Sequence, residues 1–503
     1  MNKSLESPSV IDDIRFALSS RIVMTILAIS TVCRIIFHFF VLTNSPSSFG
    51  PDEGTYAALA KYVAEGLPVE EFPAYGAGLY NSAKSITLPS AFLVQLGIGE
   101  LSAVRTISST YGLASTLMLV LCFLALCRLR NQALQKSSPV FDRRFLALLF
   151  IFTFFPSNFV WSTIGLRESG SQFWLITTFY FILKLLNSAG RDLWKFTGFC
   201  SLALTLAYGT RPETALVFSL IALLASILLL VKFRKFFPLF AILFGVFAGQ
   251  AFTTTPQVVA EESLGAFKII EPKQIQSTTP KPVESNQGTT PKSVEILEAR
   301  QDDSASVMCS QADEIIKFDG SEFRCKYSKT YQVIERNPTK TLKNEILTTQ
   351  ILESKRNVNA IDAQSALPVN ECQGPSRDFF RLIECNLNEL PYRLFAFLFR
   401  PLIFFDQGST TLTFAALENL GWMILIPISV WVSLRKRENT LDRGVNLSLI
   451  SYVTVFASAA ALYEGNLGTA FRHKSTILWP LVFILMITPR IWPKFKRKNN
   501  SVS

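Results

Sequence analysis

The sequence predicts an all-α polytopic membrane protein with about ten transmembrane helices. Apolar residues make up 49% of the 503 residues and charged residues only 17%, against about a quarter in soluble domains. Mean hydropathy is +0.31, and several apolar stretches reach the roughly 20 residues that cross a bilayer. These observations exclude a soluble globule. With 43 Phe, 24 Gly and 24 Pro, the composition also excludes a disordered chain, collagen and a coiled coil.

Basic clusters beside the apolar stretches set the direction of each crossing, because cytoplasmic loops are enriched in Lys and Arg. These clusters contain Arg128, Arg130, Lys136, Arg143 and Arg144; Lys184, Arg191 and Lys195; Lys232, Arg234 and Lys235; Arg435, Lys436 and Arg437; and Lys494, Lys496, Arg497 and Lys498. Outward crossings are predicted at 22–42, 145–165, 196–209, 236–253 and 446–463, and inward crossings at 103–127, 170–187, 212–231, 412–434 and 476–491. The first crossing is expected to be a retained signal anchor. Both chain ends are then cytoplasmic, and the short apolar stretch 86–99 is interfacial or re-entrant.

This topology divides the chain into an N-terminal transmembrane module at 1–253, an extracytoplasmic segment at 254–390 and a C-terminal transmembrane module at 391–503. A first outer segment, 43–102, lies within the N-terminal module. The segment 254–390 begins as a Thr- and Pro-rich tether, and short apolar patches from Val307 onward predict a small ordered subdomain. The formal net charge of +11 is distributed over span ends, which argues against nucleic acid as a partner.

Four cysteines, Cys309, Cys325, Cys372 and Cys385, lie in the segment 254–390. In an oxidising compartment they allow three pairings, among which the sequence does not choose, and free thiols are the alternative. No Cys-x-x-Cys or His–Cys cluster indicates structural zinc.

The first outer segment carries two carboxylates at the start of a predicted helix. Tyr56, Leu59, Ala60 and Val63 have helical spacing and predict an amphipathic helix on the membrane surface that stops at Gly66. Asp52 and Glu53 then lie at its N-terminal end, where the helix dipole favours ionised carboxylates. Such a carboxylate can accept a proton from an incoming hydroxyl; the alternative is a simple helix cap.

The string PDEGTYAALAKYVAEG at 51–66 resembles the first extracytoplasmic loop of GT-C superfamily glycosyltransferases, especially the protein O-mannosyltransferases and aminoarabinose transferases of the glycosyltransferase family 39 type. The likeness continues through Leu88 and Pro89, where the family usually has two prolines, and through 100–105. The resemblance implies a GT-C fold and a polyprenyl-phosphate sugar donor. It also implies that Asp52 is the catalytic base, with Glu53 positioning acceptor or donor.

Such a transfer expels a lipid phosphate, so we expect cations beside it. The cations predicted at the outer span ends, with their neighbouring carboxylates, are Arg105; Arg167 with Glu168; Arg211 with Glu213; and Arg472, His473 and Lys474. Each cation alone could be a snorkelling residue, but the outer face should be depleted of Lys and Arg, which favours phosphate binding. Glu168 and Glu213 either pair with their neighbouring arginines or complete a divalent-cation site with Asp52. No metal or other cofactor is expected, because Arg and Lys can neutralise a monophosphate.

The expected function is therefore that of a membrane glycosyltransferase in cell-envelope polysaccharide or glycoconjugate synthesis. It would lie in the plasma or inner membrane, with its active site on the extracytoplasmic side. Its expected partners are the lipid bilayer, a polyprenyl-phosphate-linked sugar and a glycan, lipid-linked or protein acceptor. Two other functions stay open: an O-antigen-type polysaccharide polymerase, and a flippase or transporter of lipid-linked sugars.

Overall fold

The computed structural model describes residues 9–42, 51–69, 72, 76–130, 142–233, 236–253, 304–308, 315–318, 321–324, 331–335, 379–402, 410–435, 440–463 and 467–488. The chain forms two compact units. The first contains Met1–Ala260 and Ile351–Ser503, and the second contains Glu261–Gln350. Of the basic residues that set the predicted topology, Lys136, Arg234, Lys235, Lys436, Arg437 and those from Lys494 onward lie outside the described residues.

The second unit, Glu261–Gln350, is an insert between the two parts of the first unit along the chain. In the first unit, the helices before the insert are α1 Val10–Ser19, α2 Arg21–Ile36 with a π-helical continuation at Phe37–Leu42, α3 Pro51–Ala64, α4 Gly76–Asn81, α5 Lys84–Gln95, α6 Glu100–Leu129, α7 Arg143–Phe154, α8 Pro156–Trp161, α9 Glu168–Asn187, α10 Arg191–Tyr208, α11 Pro212–Phe233 and α12 Phe237–Thr253. After the insert follow α13 Phe379–Phe399, α14 Thr410–Leu434, α15 Thr440–Tyr463 and α16 Leu467–Met486.

Local sequence signals explain several helix boundaries. Ser9 caps α1 with a reciprocal capping box to Asp12, and the Asp142 side chain accepts a hydrogen bond from the backbone N–H of Phe145 at the start of α7. Proline opens both α8 and α11, where its missing N–H costs no helical hydrogen bond. After α3, Gly66 adopts a positive φ of 71°, which lets the chain leave the helix without steric strain.

The described helices agree with a membrane protein. Four of them are long and apolar enough to cross a bilayer: Arg21–Phe39, Glu100–Leu129, Ala415–Leu434 and Leu441–Leu462. The other six predicted crossings also fall mainly on helices, and the crossing at 145–165 is broken into α7 and α8 at Pro156. A total of ten crossings stays a prediction.

Helix α16 packs against α6, α7, α8 and α9 and also against α13, α14 and α15. Trp479 on α16 and Trp422 on α14 are both fully buried in the core. Helices α10 and α12 approach closely across the Gly-x-x-x-Gly pattern of Gly245 and Gly249, because a β-carbon on Gly249 would lie 2.6 Å from Cδ2 of Tyr208.

Buried ion pairs tie together one end of the bundle. Asp13 of α1 pairs with Arg128 and with Lys184, whose Nζ lies 3.2 Å from the carboxylate. At the same end, Arg130 Nε lies 2.7 Å from Asp442. Arg105 lies near the start of α6 and Arg128 near its end, about 35 Å apart at the rise of an α-helix. Residues predicted to share the cytoplasmic face therefore share one end of the bundle, opposite the end that holds Arg105.

The described residues of the second unit form four short strands: β1 Ser304–Met308, β2 Ile315–Phe318, β3 Ser321–Arg324 and β4 Tyr331–Glu335. They form two antiparallel pairs, β1 with β4 and β2 with β3, and Ser304 is paired with Glu335 and Ile315 with Arg324. The all-α prediction therefore applies to the first unit. The pairing of Cys309, Cys325 and Cys372 lies outside the described residues, as does the side chain of Cys385, which lies in α13.

The first outer segment differs from its prediction in one respect. Helix α3 forms where the periodicity places it, but its apolar face packs on the protein and not on lipid. Tyr56 and Ala60 are buried against Ile86 of α5 and Val104 of α6. Helix α5, at the predicted interfacial stretch, is held at this end of the bundle because the backbone N–H of Ser85 donates to Gly209.

Candidate active site

The first turn of α3 places Asp52 and Glu53 in different surroundings. Successive residues of a helix lie about 100° apart around its axis, so their side chains leave in different directions. The side chain of Asp52 is 44% exposed, whereas that of Glu53 is fully buried. Of these two carboxylates, only that of Asp52 is accessible to an incoming substrate.

Glu53 forms a buried, two-point ion pair with Arg105. Arg105 Nε donates to Oε1 of Glu53 at 2.6 Å and Nη2 donates to Oε2 at 3.2 Å. The backbone N–H of Gly165 also donates to Oε1 at 3.1 Å. Gly165 lies so close to α6 that a β-carbon there would approach Cγ1 of Val104 to 2.5 Å. Glu53 and Arg105 therefore join α3 to α6 and to the chain between α8 and α9.

Asp52 makes its ion pair with the far end of the sequence. Arg472 Nη1 of α16 donates to Oδ2 of Asp52 at 2.5 Å, and Arg472 Nε lies 3.0 Å from Oε1 of Glu168 at the start of α9. Arg211 Nη1 lies 3.6 Å from the same Glu168 oxygen. Glu168 thus lies between two guanidinium groups from helices that are distant in sequence.

A third carboxylate, Glu213, extends the arrangement toward solvent. Arg211 Nε lies 3.3 Å and Arg167 Nη2 3.9 Å from Oε1 of Glu213. Arg167 is oriented by Ser82, because its Nη1 donates to the Ser82 hydroxyl at 3.0 Å. Arg211 Nη2 donates to Nε2 of His473.

We call this arrangement the charged cluster; its members are Asp52, Arg167, Glu168, Arg211, Glu213, Arg472 and His473. It contains three carboxylates and three guanidinium groups. Its carboxylates at Asp52 and Glu213 are partly exposed, while Arg211 and Glu168 are buried. The cluster therefore presents two carboxylates to solvent, with Asp52 in contact with Arg472 and Glu213 beside the buried Arg211.

The cluster holds Glu168 and Arg472 in their charged forms. Burial by itself raises the pKa of Glu168, but Arg472 and Arg211 outweigh that effect and lower the pKa to about 2. Burial likewise lowers the pKa of Arg472, and the carboxylates of Glu168 and Asp52 more than reverse it, so that this pKa rises. Both residues precede the predicted crossings at 170–187 and 476–491. Glu168 is thus ionised throughout the neutral range.

Lys474, predicted beside Arg472 as a phosphate ligand, lies apart from the charged cluster. Its Nζ donates to Oδ1 of Asn419 at 2.7 Å and to the backbone carbonyl of Arg400 at 2.9 Å, and its side chain is fully buried. These contacts join α16 to α14 and to the end of α13. Residues i and i+2 of a helix do not share a face, so Lys474 points away from Arg472.

Of the ten predicted site residues, seven form the charged cluster, Glu53 and Arg105 form a separate buried pair behind it, and Lys474 lies elsewhere. Sequence reasoning missed Ser82, which orients Arg167, and the Gly165 N–H bound to Glu53. No sequence signal marks either contact. Within the part of the chain that the structure describes, no three His, Cys, Asp or Glu side chains are grouped so that they could hold a metal ion.

Comparison with protein-family models, with curated proteins and with solved structures finds no match to this chain.

Proposed function

We propose that this protein is a membrane glycosyltransferase of GT-C type that moves a sugar from a polyprenyl-phosphate donor to an acceptor hydroxyl. The observation that carries the proposal is the half-exposed carboxylate of Asp52 in direct contact with Arg472, which also lies beside Glu168. A base for the acceptor and cations for the leaving phosphate thus lie within one cluster. The resemblance of residues 51–66 to the first GT-C outer loop supports the same chemistry.

In this reaction Asp52 acts as general base. The acceptor hydroxyl gives its proton to the Asp52 carboxylate as its oxygen bonds to the anomeric carbon. At the same time the bond between that carbon and the phosphate oxygen breaks, and its electron pair stays on the phosphate. Asp52 suits this role because it is the partly exposed carboxylate of the first turn of α3, which opens with Pro51.

The cations of the cluster stabilise the phosphate that leaves. Arg472 and Arg211 are fixed in place by Glu168 before substrate arrives, so little reorganisation is needed when negative charge develops. A guanidinium group can hold two phosphate oxygens at once. Glu53 then has a positioning role, because its carboxylate is fully used by Arg105 and Gly165, and it fixes the direction in which α3 presents Asp52.

The proposed enzyme crosses the plasma or inner membrane ten times with both ends in the cytoplasm, and the charged cluster faces the extracytoplasmic side. The charges at the two ends of the bundle support this orientation, because the end that holds Asp13, Arg128 and Lys184 carries the basic clusters expected in the cytoplasm. The reaction needs no metal, since three guanidinium groups are available. The product is an extended glycan or glycoconjugate of the cell envelope.

Mass spectrometry of envelope glycans and lipid-linked intermediates tests the proposal in cells that make the protein. We expect cells without it to lack a single sugar, and wild-type protein to restore that sugar. Asp52→Asn should not restore it, because loss of a general base lowers turnover about 10²- to 10⁴-fold. The matched control is Asp192→Asn, an aspartate that pairs with Lys195 near the start of α10.

The competing functions give different results in the same experiment. A polymerase would leave shortened chains in the deletion strain. A flippase would leave the lipid-linked sugar intact on the wrong side of the membrane. Full restoration by Asp52→Asn would remove Asp52 from the role of base.

A further inference from the structure

His473 is the one group of the charged cluster that can change its charge near neutral pH. It is 7% exposed, and its Nε2 faces Nη2 of Arg211. A guanidinium group has donors only, so Nε2 must accept this hydrogen bond. His473 is therefore neutral in this arrangement, with its proton on Nδ1.

The charges around His473 are balanced when it is neutral. Three carboxylates face three guanidinium groups in the cluster. Arg211 contacts His473 directly, and the carboxylates of Glu168 at the start of α9 and Glu213 at the start of α11 interact with it electrostatically. Described titratable and charged groups nearby also include Arg472 and Lys474 on its own helix, Tyr452 of α15 beside Arg211, and Glu418 of α14 beside Lys474. A phosphate that enters this site brings a net negative charge, which favours one additional proton.

We infer that His473 takes up a proton when a phosphodiester enters the charged cluster, and that His473 and Arg211 then hold the phosphate together. The inference rests on the proposed function for the identity of the ligand, a polyprenyl phosphodiester. The inference adds two points to the proposed function: His473 and Arg211 bind the phosphate of the donor, and one proton binds to the protein together with the donor.

Protonation changes the hydrogen bonding at Nε2. A protonated imidazole has two donors and no acceptor, so Nε2 can no longer accept from Arg211. The Arg211 donor that was paired with Nε2, and the new donor on the protonated Nε2, then both become available to phosphate oxygens. A bound phosphodiester would therefore replace the hydrogen bond between Arg211 and His473 with one from each of them to its own oxygens.

The added proton also matches the chemistry of transfer. The donor phosphodiester carries one negative charge, whereas the departing phosphate monoester carries up to two. The acceptor proton goes to Asp52, the electron pair of the broken bond stays on the phosphate oxygen, and His473 keeps its proton as a hydrogen-bond donor to that oxygen. His473 thus stabilises charge that develops during the reaction.

Binding of a phosphodiester probe across pH tests the inference. The probe is farnesyl methyl phosphodiester, which keeps a single negative charge over the neutral range and holds no sugar to transfer. It is titrated into the full-length protein in phosphatidylcholine nanodiscs from about pH 6 to about pH 8. For the wild type we expect the Kd to rise with pH by up to about tenfold per unit, because one proton binds with the ligand.

The chain offers a matched pair of variants, because it contains only two histidines. His473→Gln cannot titrate, so it should bind the probe with a Kd that does not change with pH. His38→Gln should keep the wild-type slope, because His38 lies in the π-helical segment after α2, apart from the charged cluster. A second measurement needs no variant: ¹⁵N spectra of histidine-labelled wild type at about pH 7.5 should show one imidazole become imidazolium when the probe is added.

The possible failures are distinguishable. Probe binding with no pH dependence, or an unchanged slope in His473→Gln, would overturn this inference and leave the proposed donor site intact. No probe binding at any pH would overturn the phosphate site and the inference together. Competition by phosphatidylglycerol as strong as that by the farnesyl probe would assign the site to membrane phospholipid and would count against a polyprenyl donor.

Discussion

Replacement of Glu53 should destabilise the protein far more than replacement of its neighbour Asp52. Glu53 and Arg105 are both buried and joined by two hydrogen bonds. Glu53→Gln leaves the Arg105 guanidinium buried without its counter-charge, which typically costs about 3 to 5 kcal/mol. The pair between Asp52 and Arg472 is partly exposed, and such pairs contribute about 0 to 1 kcal/mol.

Thermal unfolding of the purified protein, followed by its tryptophan fluorescence, measures the difference. We expect Glu53→Gln to lower the Tm on the order of 5 °C or more, given about 2 to 4 °C per kcal/mol for a chain of roughly 200 residues and less for a longer one. Asp52→Asn should change the Tm by no more than about 1 °C or 2 °C. Asp52→Asn thus separates a loss of chemistry from a loss of fold.

A double substitution provides the control for this reasoning. Glu53→Leu with Arg105→Met removes both charges from the same buried position, and such replacements often cost little. The double variant should therefore recover most of the stability that either single substitution loses. If Glu53→Gln were as stable as the wild type, or if the double variant lost the sum of the two single losses, the pair would not have the role assigned to it.

Two further predictions concern groups of the site and its support. Glu168→Gln should be less stable than the wild type at pH 7, because the pKa of Glu168 is about 2 in the folded protein and 4.5 for the free side chain. The stabilisation by the ionised carboxylate is complete above pH 4.5 and is lost as the pH falls toward 2. The Tm values of variant and wild type should therefore converge near pH 2. A constant difference across that window would contradict the charge assignment. Lys474→Met should lower the Tm but leave the Kd for the farnesyl probe within about twofold, because Lys474 binds Asn419 and backbone carbonyls. A large loss of probe affinity at unchanged Tm would instead assign Lys474 to the phosphate site.

Patterns that repeat along the chain predicted the helices well. Helix α3 lies where the spacing of Tyr56, Leu59 and Ala60 predicts it and ends before Gly66. Gly66 adopts a positive φ, which glycine tolerates because it has no β-carbon. The charges at span ends also predicted which residues would meet: Asp52, Arg211 and Arg472 come from three separate regions and lie in one cluster. Both results depend on local periodicity and on the bilayer, which restricts charges to the two ends of a span.

The role of each residue in the site depends on the direction in which its side chain points. The identities of neighbouring residues in the sequence do not determine that direction. Asp52 and Glu53 look equivalent in the sequence, but only tertiary contacts with Arg105 and Gly165 make one of them a buried anchor. The separation of Lys474 from Arg472 follows from helical geometry once α16 is known to begin at Leu467. The protein-facing side of α3 has a similar cause: an apolar stripe does not reveal whether lipid or another helix covers it.

Side-specific labelling tests most directly whether the charged cluster faces the extracytoplasmic side, as the proposed transfer requires. Ala58→Cys places a thiol on the exposed face of α3, and Arg191→Cys places one on the exposed start of α10 at the opposite end of the bundle. With a membrane-impermeant maleimide added to intact cells, we expect Ala58→Cys to be labelled and Arg191→Cys to react only after the membrane is opened. Labelling of Arg191→Cys in intact cells while Ala58→Cys stays protected would place Asp52 and its arginines in the cytoplasm and contradict the proposed enzyme.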